Sequence, residues 1–298
     1  MPSLKDIRKR IGSVRNTQKI TKAMKMVAAA KLRRAQSAIL ATRPYARRID
    51  GLIKGLANCS EDTPHPLMVP REEVKRVAVL VITSDKGLCG GFNANILRTV
   101  DAAIAERFAG IQVEPSLIGR KAIEFYKSKP RYTVRKTYPE LYHHNLFEEG
   151  DGVSRDLVAR FVEGEIDEVY ILYNEFKSAI SQKVQLERLV PIVPDETAQT
   201  LERHDYTFEP DRAAILDELV PEHLSIQIYR SLLESQASEF GARMTAMEGA
   251  TRNAGEMIDR LTLKYNRARQ AAITKELMEI ISGAEALKGG YVISASRK

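Results

Sequence analysis

Two stretches of this chain, residues 3–57 and 211–288, repeat apolar residues at alternating spacings of three and four, so each must become one very long helix rather than part of a ball. The first follows a heptad frame through Leu4, Ile7, Ile11, Val14, Gln18, Thr21, Lys25, Ala28, Leu32, Ala35, Ile39, Thr42, Ala46, Ile49, Ile53 and Leu56. Its period of 3.5 indicates a left-handed coiled coil. At Gln18, Thr21 and Lys25 the frame loses its apolar character, and Ile20, Met24 and Val27 offer a displaced stripe. That pattern predicts a stutter, with the seam rotating there toward another neighbour.

The last stretch carries a matching frame through Phe240, Met244, Met247, Thr251, Ala254, Ile258, Leu261, Tyr265, Ala268 and Ala272, with alanines where two backbones can approach closely. At 1.5 Å per residue the two helices would be about 80 Å and about 115 Å long. Because everything else lies between them in sequence, the expected pairing is antiparallel, and the longer helix then projects alone. Its end carries Ile273, Leu277, Met278, Ile280, Ile281, Ala284, Ala286 and Leu287 around the helix rather than along one stripe. A helix apolar on most sides must be surrounded. Packing back onto the chain's own middle would need a break, and Gly283 and Gly289–Gly290 come too late for one. A sleeve made by other subunits is therefore expected around Ile273, Leu277, Ile280 and Ile281.

Between the helices the pattern changes. A breaker-rich run, Ser60 to Pro66, separates the first helix from Val77-Ala78-Val79-Leu80-Val81-Ile82-Thr83, a continuous apolar run suited to a strand buried on both faces. Helices are expected near 92–108, 120–127 and 154–163, and strands near 113–118, 132–136, 168–176 and 184–190. This alternation predicts an open, Rossmann-like α/β domain. The expected organisation is a coiled-coil helix over 1–59, a linker over 60–73, the α/β domain over 74–195, a connecting loop over 196–210, and a second coiled-coil helix over 211–298. The fold class is thus α/β, a long antiparallel coiled coil of the terminal helices plus a Rossmann-like domain.

Charge is unevenly distributed. Residues 1–57 hold fifteen Lys or Arg against Asp6 and Asp50, a net +13, which leaves −6 of the chain's +7 for the remainder. Such a positive helix suits acidic protein surfaces or nucleic-acid phosphates. Tyr45 is the only aromatic there, and the charges flank the seam instead of preceding it as in zipper proteins. No apolar run approaches the roughly 18–20 residues that cross a bilayer, and the first residues lack the apolar core of a secretory signal. Cys59 and Cys89 form neither a CxxC pair nor a metal-ligand spacing, and read as small buried side chains in a reducing compartment.

The turn after the first strand, Ser84-Asp85-Lys86-Gly87-Leu88-Cys89-Gly90-Gly91-Phe92-Asn93, invites a phosphate-site reading. It matches neither GxxxxGK[ST] nor GxGxxG with an acidic residue ending the next strand, so a tight strand-to-helix turn or a subunit contact through Asp85 and Lys86 is expected. His65, His143, His144, His204 and His223 form no HExxH, no GxSxG elbow is present, and Glu148-Glu149-Gly150-Asp151 reads as a solvated loop. No catalytic, metal or cofactor site is expected. On residues alone, a nucleic-acid-binding coiled coil and a nucleotide-using enzyme built on residues 70–200 stay open beside a mechanical part.

The blocks Ile11-Gly12-Ser13-Val14-Arg15-Asn16-Thr17-Gln18-Lys19-Ile20-Thr21-Lys22-Ala23-Met24 and Ser84 to Asn93, with Glu209-Pro210-Asp211, Ala242-Arg243-Met244-Thr245-Ala246-Met247 and Tyr265-Asn266-Arg267-Ala268-Arg269-Gln270-Ala271-Ala272-Ile273-Thr274-Lys275-Glu276-Leu277, resemble the γ subunit of F-type ATP synthases. The likeness runs end to end and its blocks are specific.

The resemblance implies a central rotor shaft of the F1 sector, a single copy turning inside a ring of α and β subunits, with catalysis left to β. It further implies a foot on the proton-translocating c-ring and the ε subunit, a peripheral place on the membrane, and, for a bacterial form, the cytoplasmic face of the inner membrane. No nucleic acid or cofactor is implied. Carried over residue by residue, β-facing contacts fall at Lys9, Met24, Lys25, Arg269 and Gln270, and the foot includes Tyr206, Thr207 and Phe208. Ordinary packing or solvation is the alternative at each. Lys25 stands where many members carry an acidic residue, which leaves the sign of that contact open. The paired-cysteine insertion of chloroplast members is absent from the sequence.

Overall fold

The structure is a computed structural model and describes residues 3–58, 65–129, 132–192 and 211–295. Its elements in chain order are α1 (Leu4–Asn58), β1 (Arg76–Ile82), α2 (Phe92–Glu106), β2 (Gln112–Ile118), α3 (Arg120–Lys127), β3 (Lys136–Tyr138), α4 (Leu146–Val162), β4 (Glu168–Phe176), β5 (Gln182–Val190) and α5 (Arg212–Ala295). The chain divides into two units, residues 1–24 with 247–298, and residues 25–246.

In the first unit the seam keeps the heptad frame where a stutter was expected. Thr21 is buried, and its hydroxyl lies 2.8 Å from that of Thr251. Gln18 reaches the Thr251 carbonyl at 3.5 Å. Of the displaced stripe, Ile20 and Val27 face outward, Ile20 60% exposed, and Met24 is half-buried. Polar residues hold these seam positions because each finds a partner across or along the pair, which removes the desolvation penalty that would have expelled them. On α5 the frame positions Met247, Thr251, Ala254, Ile258, Leu261, Tyr265, Ala268 and Ala272 are all buried or half-buried, while their neighbours at Arg252, Asn253 and Leu263 are exposed.

In the second unit five strands form one sheet in the order β3-β2-β1-β4-β5, parallel except for β5, which runs antiparallel to β4. Alternation along β1 assigns Ala78, Leu80 and Ile82 to one face and Val77, Val79 and Val81 to the other. The first face meets Ile49 and Ile53 of α1, Leu157 and Phe161 of α4, and Val220, Leu224 and Leu232 of α5. The second is covered by Ile96 and Val100 of α2 and by Ala122 and Tyr126 of α3. Leu32, Ala35 and Ile39 of α1 also pack with Leu233 and Ala237 of α5. Both long helices continue through a proline, Pro44 and Pro221, because burial on the sheet outweighs the lost backbone bond.

The stretch 148–151 proves to be the start of α4 rather than a loop. Asn145 caps that helix by accepting from the Phe147 amide at 3.2 Å, and Glu148 and Glu149 sit in the first turn, where the helix dipole favours negative charge. β3 begins four residues and ends two residues later than the sequence indicates, at Lys136–Tyr138.

Candidate functional site

In an open α/β sheet, ligands enter at the carboxyl ends of the strands where the strand order reverses, which here lies between β1 and β4. That position is closed by α5. Ser238 Oγ donates to the Asn174 carbonyl at 3.0 Å, and the Phe176 amide donates to Glu234 Oε2 at 2.8 Å. Thr245 Oγ1 lies 3.1 Å from the Ala179 carbonyl, and a Cβ at Gly241 would stand 3.2 Å from the Ala179 Cα. Ser231, Glu234, Ser235, Ser238 and Glu239 form a run of buried polar residues on one helix.

The glycine-rich turn after β1 meets the same helix. Arg243 Nη2 donates to the carbonyls of Lys86 and Gly87, both at 3.1 Å, while its Nη1 pairs with Glu239 at 2.6 Å. Burial pushes the Glu239 carboxyl up, and Arg243 opposes that shift. Inside the turn, Ser84 Oγ reaches the Lys86 carbonyl at 2.8 Å, and Asn93 Oδ1 accepts from the Ser84 amide at 3.0 Å. Asp85 accepts from the backbone amides of Arg120 and Glu140. The Ser84 amide and the Lys86 and Gly87 carbonyls of the turn are thus engaged within the protein. Cys89 is buried and its thiol is pushed up by that burial, in line with an inert side chain; Cys59 lies outside the described residues.

The residues singled out on the long helices differ in exposure. Lys9, Arg269 and Gln270 are exposed, and Met24 and Lys25 are half-buried on the seam side of α1. Ile273, Leu277, Met278, Ile280 and Ile281 are all exposed, Ile280 at 70%. Tyr206, Thr207 and Phe208 lie outside the described residues. Sequence reading missed the Arg243 clamp on the 86–87 carbonyls, for which the available signal was Glu239 and Arg243 one helical turn apart in a buried stretch.

Long terminal helices with an α/β domain between them in sequence, one of those helices packed across the strand ends, define the class of a coiled-coil stalk protein. The family described as ATP synthase matches residues 3–287. Over 294 residues the chain is 51% identical to the ATP synthase gamma chain of Anaeromyxobacter sp. (strain K), with 97% of this chain and 100% of that relative covered. The gamma chain of Geobacter metallireducens is 49% identical over 290 residues, with the same coverage.

Among solved structures, the central stalk and c-ring assembly of Tetrahymena thermophila mitochondrial ATP synthase contains a chain similar to this one, with a TM-score of 0.58 at 27% identity. The alignment covers 78% of this chain and 99% of that one. A chain of the Euglena gracilis mitochondrial ATP synthase shares the fold at a TM-score of 0.67 and 19% identity, over 96% of this chain and 95% of its own. The chain belongs to the ATP synthase gamma-chain family. Among the described residues no helix is long and apolar enough to cross a membrane.

Proposed function

We propose that this chain is the rotor shaft of an F1 sector, coupling c-ring rotation to ATP synthesis or hydrolysis at the β subunits, with no catalytic site of its own. The observation that carries the reading is the bare end of α5, where Ile273, Leu277, Met278, Ile280 and Ile281 are exposed around the helix. Apolar side chains in that arrangement need a surrounding partner. A ring of α and β subunits supplies one, and differential contact with each β state lets a turning surface bias their conformations. Lys9, Met24, Lys25, Arg269 and Gln270 are the proposed β contacts, and Arg269 suits a bidentate grip on a carboxylate. Tyr206, Thr207 and Phe208 are proposed for the foot on ε and the c-ring, with residues 74–195 as its α/β body. Proton coupling and a peripheral place on the cytoplasmic face of a bacterial inner membrane complete the reading.

The test co-expresses this chain with α and β subunits of a related bacterium, with and without residues 270–298. The full chain is expected to co-purify stoichiometrically and to make MgATP hydrolysis depend on its presence, and the truncated chain to lose assembly or activity. Failure of the full chain, with the relative's own gamma chain assembling normally, sinks the proposal.

A further inference from the structure

We draw no further inference here: the strongest candidate, the apolar groove between α4 and α5 lined by Phe147, Val158, Ala159 and Pro221, has the charges at its mouth paired within the chain, Arg155 with Asp151 and Glu222 with Tyr45, and nothing in the structure shows what covers it.

Discussion

At single residues the fold depends on a few positions with no freedom to vary. Gly119, between β2 and α3, has φ of 90°, and a Cβ there would stand 2.3 Å from the Thr83 carbonyl oxygen. The position is strained for any other residue and closed to any side chain, so Gly119→Ala is expected to lower stability by about 3 kcal/mol in urea unfolding of the full chain. A loss under about 1 kcal/mol would show that β1 can move aside.

His65 imposes a pH dependence. Its Nδ1 accepts from the Leu67 amide at 3.2 Å, a bond available only while that nitrogen is unprotonated. Burial holds the imidazole below its ordinary range, outweighing the attraction of Asp217 at 3.4 Å. The unfolded chain therefore binds a proton at a pH where the folded chain does not. Stability rises with pH through that window and is lost as pH falls toward the folded value. His65→Asn keeps an acceptor for the Leu67 amide and removes the titration, so the drop in urea midpoint from about pH 7.5 to about pH 5.5 should shrink. An unchanged slope would place the titrating group elsewhere.

At the scale of elements, the threonines facing each other across the α1–α5 seam make a measurable pair. Thr21 and Thr251 share a bond of 2.8 Å, and each also has a backbone carbonyl within reach, Gln18 and Met247 respectively. Either single change to valine should cost about 1 kcal/mol and the double change less than the sum, a coupling that a thermal-unfolding cycle of four chains resolves. Strict additivity would mean that the hydroxyls do not interact.

This seam also shows what a sequence hides. The strands β1, β2 and β4 were legible from apolar runs and turn residues, and α3 from its apolar spacing, because burial on two faces leaves little choice of pattern. Gln18 and Thr21 misled toward a stutter because heptad reading scores a polar residue as a defect, whereas Thr251 opposite converts it to a satisfied pair. The start of α4 was lost for a related reason: Glu148, Glu149 and Asp151 look solvated until Asn145 is recognised as their cap. The polar contacts of Glu234 and Ser238 could not be derived from their residues, because serines and glutamates on a helix find such partners only in backbone groups far away in sequence.

At the scale of the whole molecule, the exposed end of α5 allows two opposed expectations to be separated by stability and assembly together. Ile273, Leu277, Ile280 and Ile281 are exposed in the chain alone, so replacing all four with glutamine removes no burial from its own fold. Glutamine is also a good helix former, so the helix itself is retained. Had these side chains packed on their own domain, each loss would cost about 1.5–3 kcal/mol, and the quadruple variant would not survive it. The expected result is an unfolding free energy within about 1 kcal/mol of the unaltered chain. Self-association of the free chain should decrease at the same time, because the surface that drives it has become polar. Affinity for an assembly of α and β subunits should fall at least about tenfold, or 1.4 kcal/mol, since the same surface is the one proposed to enter the sleeve. A variant that is destabilised, or that assembles with unchanged affinity, would relocate the partner of this apolar end and with it the physical basis for reading the chain as a shaft.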